Sequence, residues 1–276
     1  MENRQVNLHC HTFLCRHATG TVRDYCEKAI EQGLKILGFS EHAPFPDNRY
    51  GSRMDYDQLP EYRQAIEEAR HDFPELTILA GLEVDYDPEF PLDFYQHELK
   101  ERLKLDYLVG AVHFVHDAEG KPIFVGVNSH HSMETFRRFV DKTVFLIQSG
   151  MFDFIAHPDM VSSSLDRWTP EIGEQFSEII KTAAACSVPL ELNCYGMRKR
   201  EVEYTDGTRH PYPWLPFWKM ASEYGIPCVV GSDAHRPEDV SGNLPEMLDK
   251  AQKLGVPCIN NNVAQSIITR QTNNLK

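Results

Sequence analysis

The chain has 276 residues, 41% of them hydrophobic and 25% charged, with a net charge of −13. That balance supports one sizeable buried core, and α/β barrels reach this length as a single domain. A surface so acidic repels phosphate backbones, which excludes nucleic acid as an expected partner.

Short apolar runs alternate with longer amphipathic ones along the chain. Val6–His11 reads as a first strand, and Thr21–Gln32 as a helix that stops at Gly33. Strand Ile36–Phe39 follows, then a long polar loop over Ala43–Gln58 and a Glu/Ala/Arg-rich helix over Leu59–Arg70. Three further pairs come next: strand Thr77–Leu82 with helix Phe94–Leu105, Tyr107–His113 with Met133–Gln148, and Phe152–His157 with Glu171–Ala185. Strand Pro189–Asn193, helix Pro213–Tyr224, strand Pro227–Gly231 and helix Leu244–Leu254 complete the set. Regular strand–helix alternation predicts a parallel sheet with crossover helices. Seven such units fit a closed or nearly closed TIM-like α/β barrel better than an open sheet, with residues 1–276 as one domain.

The seven cysteines are odd in number and lack a CxxC pair, which reads as free thiols of a reducing compartment. The start Met1-Glu2-Asn3-Arg4-Gln5 fits no signal peptide, and no apolar run approaches the length of a membrane span. A cytoplasmic protein without a membrane partner is expected; nothing in the sequence speaks to its oligomeric state.

Ionisable residues recur at the strand ends: His9 and His11, then His42, Glu83, His113, His157, and Asp233 with His235. In a parallel barrel all strand C-termini meet on one face, where active sites are built. His9 and His11 share one face of their strand and Cys10 points to the other, so two imidazoles can grip one ion. Each residue alone has a plain explanation: a chance HxH pair, a surface loop histidine at His17, a turn cap at His42, satisfied core histidines at His113 and His157. An acid such as Glu83 after an apolar strand is costly unless paired or metal-bound. The segment Gly231-Ser232-Asp233-Ala234-His235 again sets an acid and an imidazole on one face, a mixed set that divalent ions accept. Metal binding explains all of these together.

The stretches Leu8-His9-Cys10-His11-Thr12, His17, Ser40-Glu41-His42, Gly81-Leu82-Glu83-Val84-Asp85, Val112-His113-Phe114, Ala156-His157-Pro158-Asp159 and Gly231-Ser232-Asp233-Ala234-His235 run in one order across most of the chain. In this the sequence resembles the PHP family, the polymerase and histidinol phosphatase family of metallohydrolases. Chain length and Glu191-Leu192-Asn193…Gly196-Met197-Arg198-Lys199 look like its histidinol-phosphatase branch. The second motif usually reads Ser-Asp-His; here Glu41 replaces the aspartate and His42 is kept.

The resemblance implies a distorted seven-stranded barrel with a trinuclear divalent cluster of zinc, manganese or iron. His9, His11, Glu83 and Asp233 would hold one ion, Glu83, His113 and His157 a second, and His17, His42 and His235 a third. It implies hydrolysis of L-histidinol phosphate, a step of histidine biosynthesis, with Glu83, Asp233 and His235 at the reacting centre. Three divalent ions against two carboxylates make a cationic pocket inside an acidic protein. Arg198, just past the sixth strand, and Arg53, in the loop after His42, are the expected phosphate contacts. Asp47, Asp55 and Tyr56 of the same loop are candidates for the substrate's amine and imidazole. A related phosphoesterase for another small ester or a nucleotide would share the metal site and differ only in the loops. An amidohydrolase-like barrel would call for a strand-end lysine, which is missing, and a non-catalytic metal binder would leave the open barrel mouth without purpose.

Overall fold

All seven expected strands form, and they pair in parallel around one sheet. The computed structural model describes residues 2–127, 129 and 131–274; the other five positions of the expected 1–276 domain lie outside the described residues. In chain order the strands are β1 (Val6–Asn7), β2 (Ile36–His42), β3 (Thr77–Asp85), β4 (Tyr107–Ala111), β5 (Phe114–His116), β6 (Pro122–Phe124), β7 (Phe154–Ile155), β8 (Leu190–Asn193), β9 (Val202–Tyr204), β10 (Gly207–Arg209) and β11 (Cys228–Gly231). The barrel order is β1-β2-β3-β4-β7-β8-β11, while β5–β6 and β9–β10 are two-stranded hairpins outside it.

The circle closes without a regular ladder. Past Asn7 the regular ladder with β2 ends, though Ser40 N–H still donates to Cys10 O at 3.0 Å, and Cys10 makes a lone parallel bridge to Ala234 with His11 N–H donating to Ala234 O at 2.9 Å. Two asparagine side chains stitch the rest of the seam, because a carboxamide presents the same donor and acceptor as a backbone peptide. Asn7 Oδ1 accepts from Ser232 N at 3.0 Å, and its Nδ2 donates to Ser232 Oγ at 2.8 Å. Asn260 Oδ1 accepts from Val230 N at 2.8 Å, while its Nδ2 donates to Val230 O at 2.7 Å and Val6 O at 3.2 Å. This irregular seam is the distortion of the barrel.

Helices α1 (Val22–Glu31), α2 (Leu59–Asp72), α3 (Met133–Gln148), α4 (Pro170–Cys186), α5 (Leu215–Glu223), α6 (Leu244–Leu254) and α7 (Asn260–Asn274) accompany the strands. The first opens on a capping box between Thr21 and Asp24, the third on Ser132 and the fourth on Thr169 followed by Pro170. The expected helix over Phe94–Leu105 is shorter, a wide π turn over Phe94–Glu101. A large apolar layer lies between barrel and helices; a second, smaller one fills the barrel interior.

Inside the barrel, Tyr107 crosses the lumen and donates its hydroxyl to Leu8 O (2.9 Å) and Phe39 O (3.1 Å). Gly38 and Gly81 make this possible, since a Cβ on either would collide with the tyrosine ring. Beneath it, Val263, Ala264 and Ile267 of α7 pack on Val6, Ile36 and Val229 near the strand N-termini. The sequence reading did not foresee α7 or the hairpins. With the lower end plugged, the open face is the one where the strands end.

Candidate metal centre

Strand geometry brings the expected ligands to that open face. His42 and Glu83 are strand residues of β2 and β3; His113, His157 and the Asp233/His235 pair follow directly on β4, β7 and β11. His9 and His11 turn inward together, whereas Cys10 is buried in the outer apolar layer, as side-chain alternation requires. His157 and Asp233 hold positive φ, 29° and 49°, in the left-handed region that side chains seldom occupy. Such strain persists where surrounding contacts over-determine it, and it is common at functional sites.

The donor atoms converge. His9 Nε2 and His11 Nε2 are 3.2 Å apart, and Asp233 Oδ1 lies 3.7 Å and 3.3 Å from them. Glu83 stands at the centre: Oε1 is 2.8 Å from His157 Nε2 and 3.6 Å from both His9 Nε2 and His113 Nε2, and Oε2 is 2.8 Å from His42 Nδ1. On the outer side His17 Nε2 and His235 Nε2 approach to 2.9 Å. Three groups have donors close enough for one ion each: His9/His11/Glu83, His42/Glu83/His113, and His17/His42/His235. Cys15 lies beside His11 and His235 in a fourth such group, a neighbour the sequence reading did not single out.

The residues fit metal ions. His42 Nδ1 and Glu83 Oε2 are close but not aligned as a hydrogen bond, and each is buried with no other partner. Buried polar atoms are nearly always satisfied, so donor atoms left unpaired this close together suit a shared cation.

A supporting layer fixes the rings through their other nitrogens, the usual companion of metal-binding histidines. Glu191 Oε1 meets His9 Nδ1 at 2.7 Å, and Asp85 Oδ2 meets His113 Nδ1 at 2.9 Å. His17 and His235 turn Nδ1 toward the carbonyls of Cys15 (2.8 Å) and Asp233 (3.1 Å). Glu41 accepts from Thr12 N and Thr12 Oγ1, both at 2.6 Å, and its second oxygen faces His11 Nδ1 at 3.7 Å. The glutamate in place of the usual aspartate is thus a brace for the first histidine turn. Glu191 and Asp85 stand in the quoted family stretches but are given no role by the sequence, although each is two residues along its strand from Asn193 or Glu83, on the same face. At Gly231 a Cβ would collide with Glu191, so that glycine keeps the brace in place.

The electrostatics divide the cluster. Burial opposes charge on His9 and His11, but the nearby carboxylates outweigh it: His9 is raised by Glu191, Asp233 and Glu83, and His11 is pushed up to about 9. Burial, then the positive field of His11, lowers His42 and brings His235 to about 3. Glu83 and Asp233 are held well below the usual carboxylate range, because the surrounding imidazoles overcome the burial that opposes their charge. The inner part of the cluster thus favours positive charge, as a cation site does.

Above the cluster opens a cavity of about 530 Å³. The loop after β2 lines it with Tyr50, Gly51, Ser52 and Arg53, not with the expected Asp47, Asp55 or Tyr56. Asp47 and Asp55 are instead ion-paired to Arg49 and Arg16 near the surface, and Tyr56 stacks on Phe94. Arg53 reaches the cavity wall, yet its guanidinium is bound to Asp85 Oδ2 (3.0 Å) and Ala43 O (2.8 Å). Arg198 differs from expectation. It is turned under the Asp233 turn, donating to the carbonyls of Ser232 (2.5 Å), Asp233 (3.2 Å) and Gly242 (3.1 Å), and is not among the cavity-lining residues. Its neighbour Lys199 lines the cavity and lies over the Tyr195 ring.

Residues 7–194 match the PHP domain model, more than half of the chain, and residues 218–242 match the PHP-associated model. The chain belongs to the PHP domain family. A probable histidinol-phosphatase of Deinococcus radiodurans is 31% identical over 253 residues, covering 90% of this chain and 92% of the relative. The histidinol-phosphatase of Bacillus subtilis is 25% identical, covering 88% and 97%. Among solved structures, one from Listeria monocytogenes superposes with a TM-score of 0.70 at 22% identity, covering 87% of this chain and 98% of its own. The histidinol phosphate phosphatase of Lactococcus lactis, complexed with zinc, L-histidinol and phosphate, does so at 0.67 and 19% identity, covering 92% and 94%. The PHP fold here is therefore the expected α/β barrel.

Proposed function

We propose that this PHP protein is a metal-dependent phosphomonoesterase that hydrolyses L-histidinol phosphate to L-histidinol and phosphate. The observation that carries the reading is the convergence of seven histidines with Glu83 and Asp233 on the open barrel face. Two relatives named histidinol-phosphatase or probable histidinol-phosphatase, matched over nearly their whole length, supply the substrate.

In this reading His9, His11, Glu83 and Asp233 hold one divalent ion, Glu83, His113 and His157 a second, and His17, His42 and His235 a third. Zinc is favoured by the nitrogen-rich donor set, with manganese and iron also suited. Bound ions of this kind lower the pKa of water to about 7 and neutralise phosphoryl oxygens. The chain's own residues do the rest. Glu191 and Asp85 fix the ring orientation of His9 and His113. Lys199 sets positive charge at the cavity wall for the phosphate group, and Arg53, paired with Asp85, lies on the same wall. Asp233 and His235 stand at the boundary between cluster and cavity, where as ligands they would turn the ions toward the reacting phosphate. The chain reads as one domain, since β1, the turn after β11 and the start of α7 are joined in the barrel seam. Seven free cysteines favour a reducing, cytoplasmic setting; no helix among the described residues is long and apolar enough to cross a membrane.

The test is phosphate release by purified, metal-loaded protein. L-histidinol phosphate should be turned over far faster than p-nitrophenyl phosphate or nucleoside monophosphates, and a strong chelator should abolish the activity. A flat profile across unrelated esters, or full activity in metal-stripped protein, removes the reading.

A further inference from the structure

Histidinol carries an ammonium and an imidazole, so a selective pocket must recognise positive charge and a flat ring. Among the described residues lining the cavity, the carboxylates are Glu83 and Asp233 alone, and both are enclosed by histidines. A cationic group entering therefore meets no free acid. What it meets is aromatic surface. Tyr50 stacks on Phe114 with ring centroids 4.3 Å apart and planes 15° from parallel, and Phe124 adjoins Phe114 at 5.4 Å.

This wall is firmly held from behind. Lys142 of α3 donates to Phe114 O at 2.6 Å, and Arg138 to His116 O at 2.7 Å. The Tyr50 hydroxyl is hydrogen-bonded to Asp87, a buried carboxylate that also accepts from Arg49 at 2.9 Å. Phe124 is the exposed member: 49% of it is open, whereas most large apolar side chains here are buried. Its ring lies across Gly126, where a Cβ would collide with it, so the missing side chain keeps the ring in its place on the wall. A phenyl ring left open at a cavity mouth is surface that a ligand can cover.

Resting on the histidinol phosphate reading above, we infer that the wall of Tyr50, Phe114 and Phe124 recognises the cationic, aromatic half of the substrate, with Phe124 as the specificity-determining residue. The face of an aromatic ring carries negative potential and attracts ammonium and imidazolium groups, an attraction that strengthens as water is excluded. The same faces stack on the flat imidazole. Selectivity then resides in ring faces, not in an acid.

The experiment compares wild type, Phe124→Leu, Phe124→Tyr and Gly126→Ala. Leucine keeps apolar bulk and removes the ring face; tyrosine restores it. Steady-state kinetics are measured on L-histidinol phosphate and on glycerol 3-phosphate, and L-histidinol binding is measured by calorimetry. Phe124→Leu should raise KM for L-histidinol phosphate and weaken L-histidinol binding, each by roughly tenfold. Its kcat should stay within about twofold of wild type and its KM for glycerol 3-phosphate should not move, a split that transition-state contacts would not produce. Phe124→Tyr should behave as wild type, and Gly126→Ala, which displaces the ring, should reproduce the loss. Unchanged KM and L-histidinol affinity in Phe124→Leu, with wild type active on L-histidinol phosphate, overturn this inference alone. A wild type inactive on L-histidinol phosphate overturns the function reading instead.

Discussion

At the scale of single residues, the supporting carboxylates are as informative as the histidines they hold. Glu191 touches His9 Nδ1 and also accepts from the backbone N of His157 at 3.1 Å, so one side chain orients two neighbouring ligand positions. Glu191→Gln should therefore reduce metal affinity by about 10–100-fold, the usual cost of losing such a partner. Metal content after dialysis against a graded chelator reads this out, and retention equal to wild type would rule out the orienting role.

Arg198 poses a different question at the same scale. A guanidinium that met substrate phosphate would, on removal, lower catalytic efficiency and leave bound metal alone. The observed guanidinium supports the turn that carries Asp233. Losing hydrogen bonds to three carbonyls should cost about 1–3 kcal/mol of stability and loosen Asp233. Arg198→Ala is expected to lower the denaturation midpoint and the metal content together. Wild-type metal content with reduced efficiency would return Arg198 to the substrate side.

At the scale of elements, the seam between β1 and β11 decides whether the histidines face one another, because His9 and His11 lie on one side of it and Asp233 and His235 on the other. Asn260 lies at the start of α7 yet makes its hydrogen bonds to both strands, linking the plug at the bottom to the closure of the barrel. Asn260→Ala leaves buried peptide groups unpaired, at about 1–3 kcal/mol for each. Urea unfolding should show a clearly lower midpoint with the slope unchanged. An unaltered midpoint would mean that the seam is held by packing alone.

At the scale of the whole molecule, the proposed metal and protons would compete for the same cluster. His11 is pushed up to about 9 without metal, above its ordinary value of 6.5. A group raised on folding contributes stability that is fully present below its unfolded pKa and is lost as pH rises through its folded pKa. Metal-free protein should therefore lose thermal stability between about pH 6.5 and pH 9. Metal requires the deprotonated ring, so uptake should release protons and tighten as pH rises over the same interval. Tm measured with and without zinc across this range checks the opposite slopes. Parallel slopes would show that the inner histidines do not share the metal's place.

The sequence by itself determined the strand–helix alternation, the barrel class and the residues at the strand ends. Those signals are local: the period of the apolar pattern sets the element, and strand alternation puts His9 with His11 and Asp233 with His235. It also carried the family motifs, which match in order from β1 to the turn after β11. Only the tertiary structure decided which side chains stand behind the ligands and which face the cavity. Glu191, Asp85 and Asn260 act across strands far apart in sequence, so their partners are visible only in the fold, although strand alternation puts Asp85 on the face of Glu83 and Glu191 on that of Asn193. Arg198 and Arg53 look alike as loop arginines, and their difference is set by which carbonyls and carboxylates the fold brings within reach. The aromatic wall arises the same way, since Tyr50 meets Phe114, which adjoins Phe124, only after the loop and hairpin are folded over the barrel mouth.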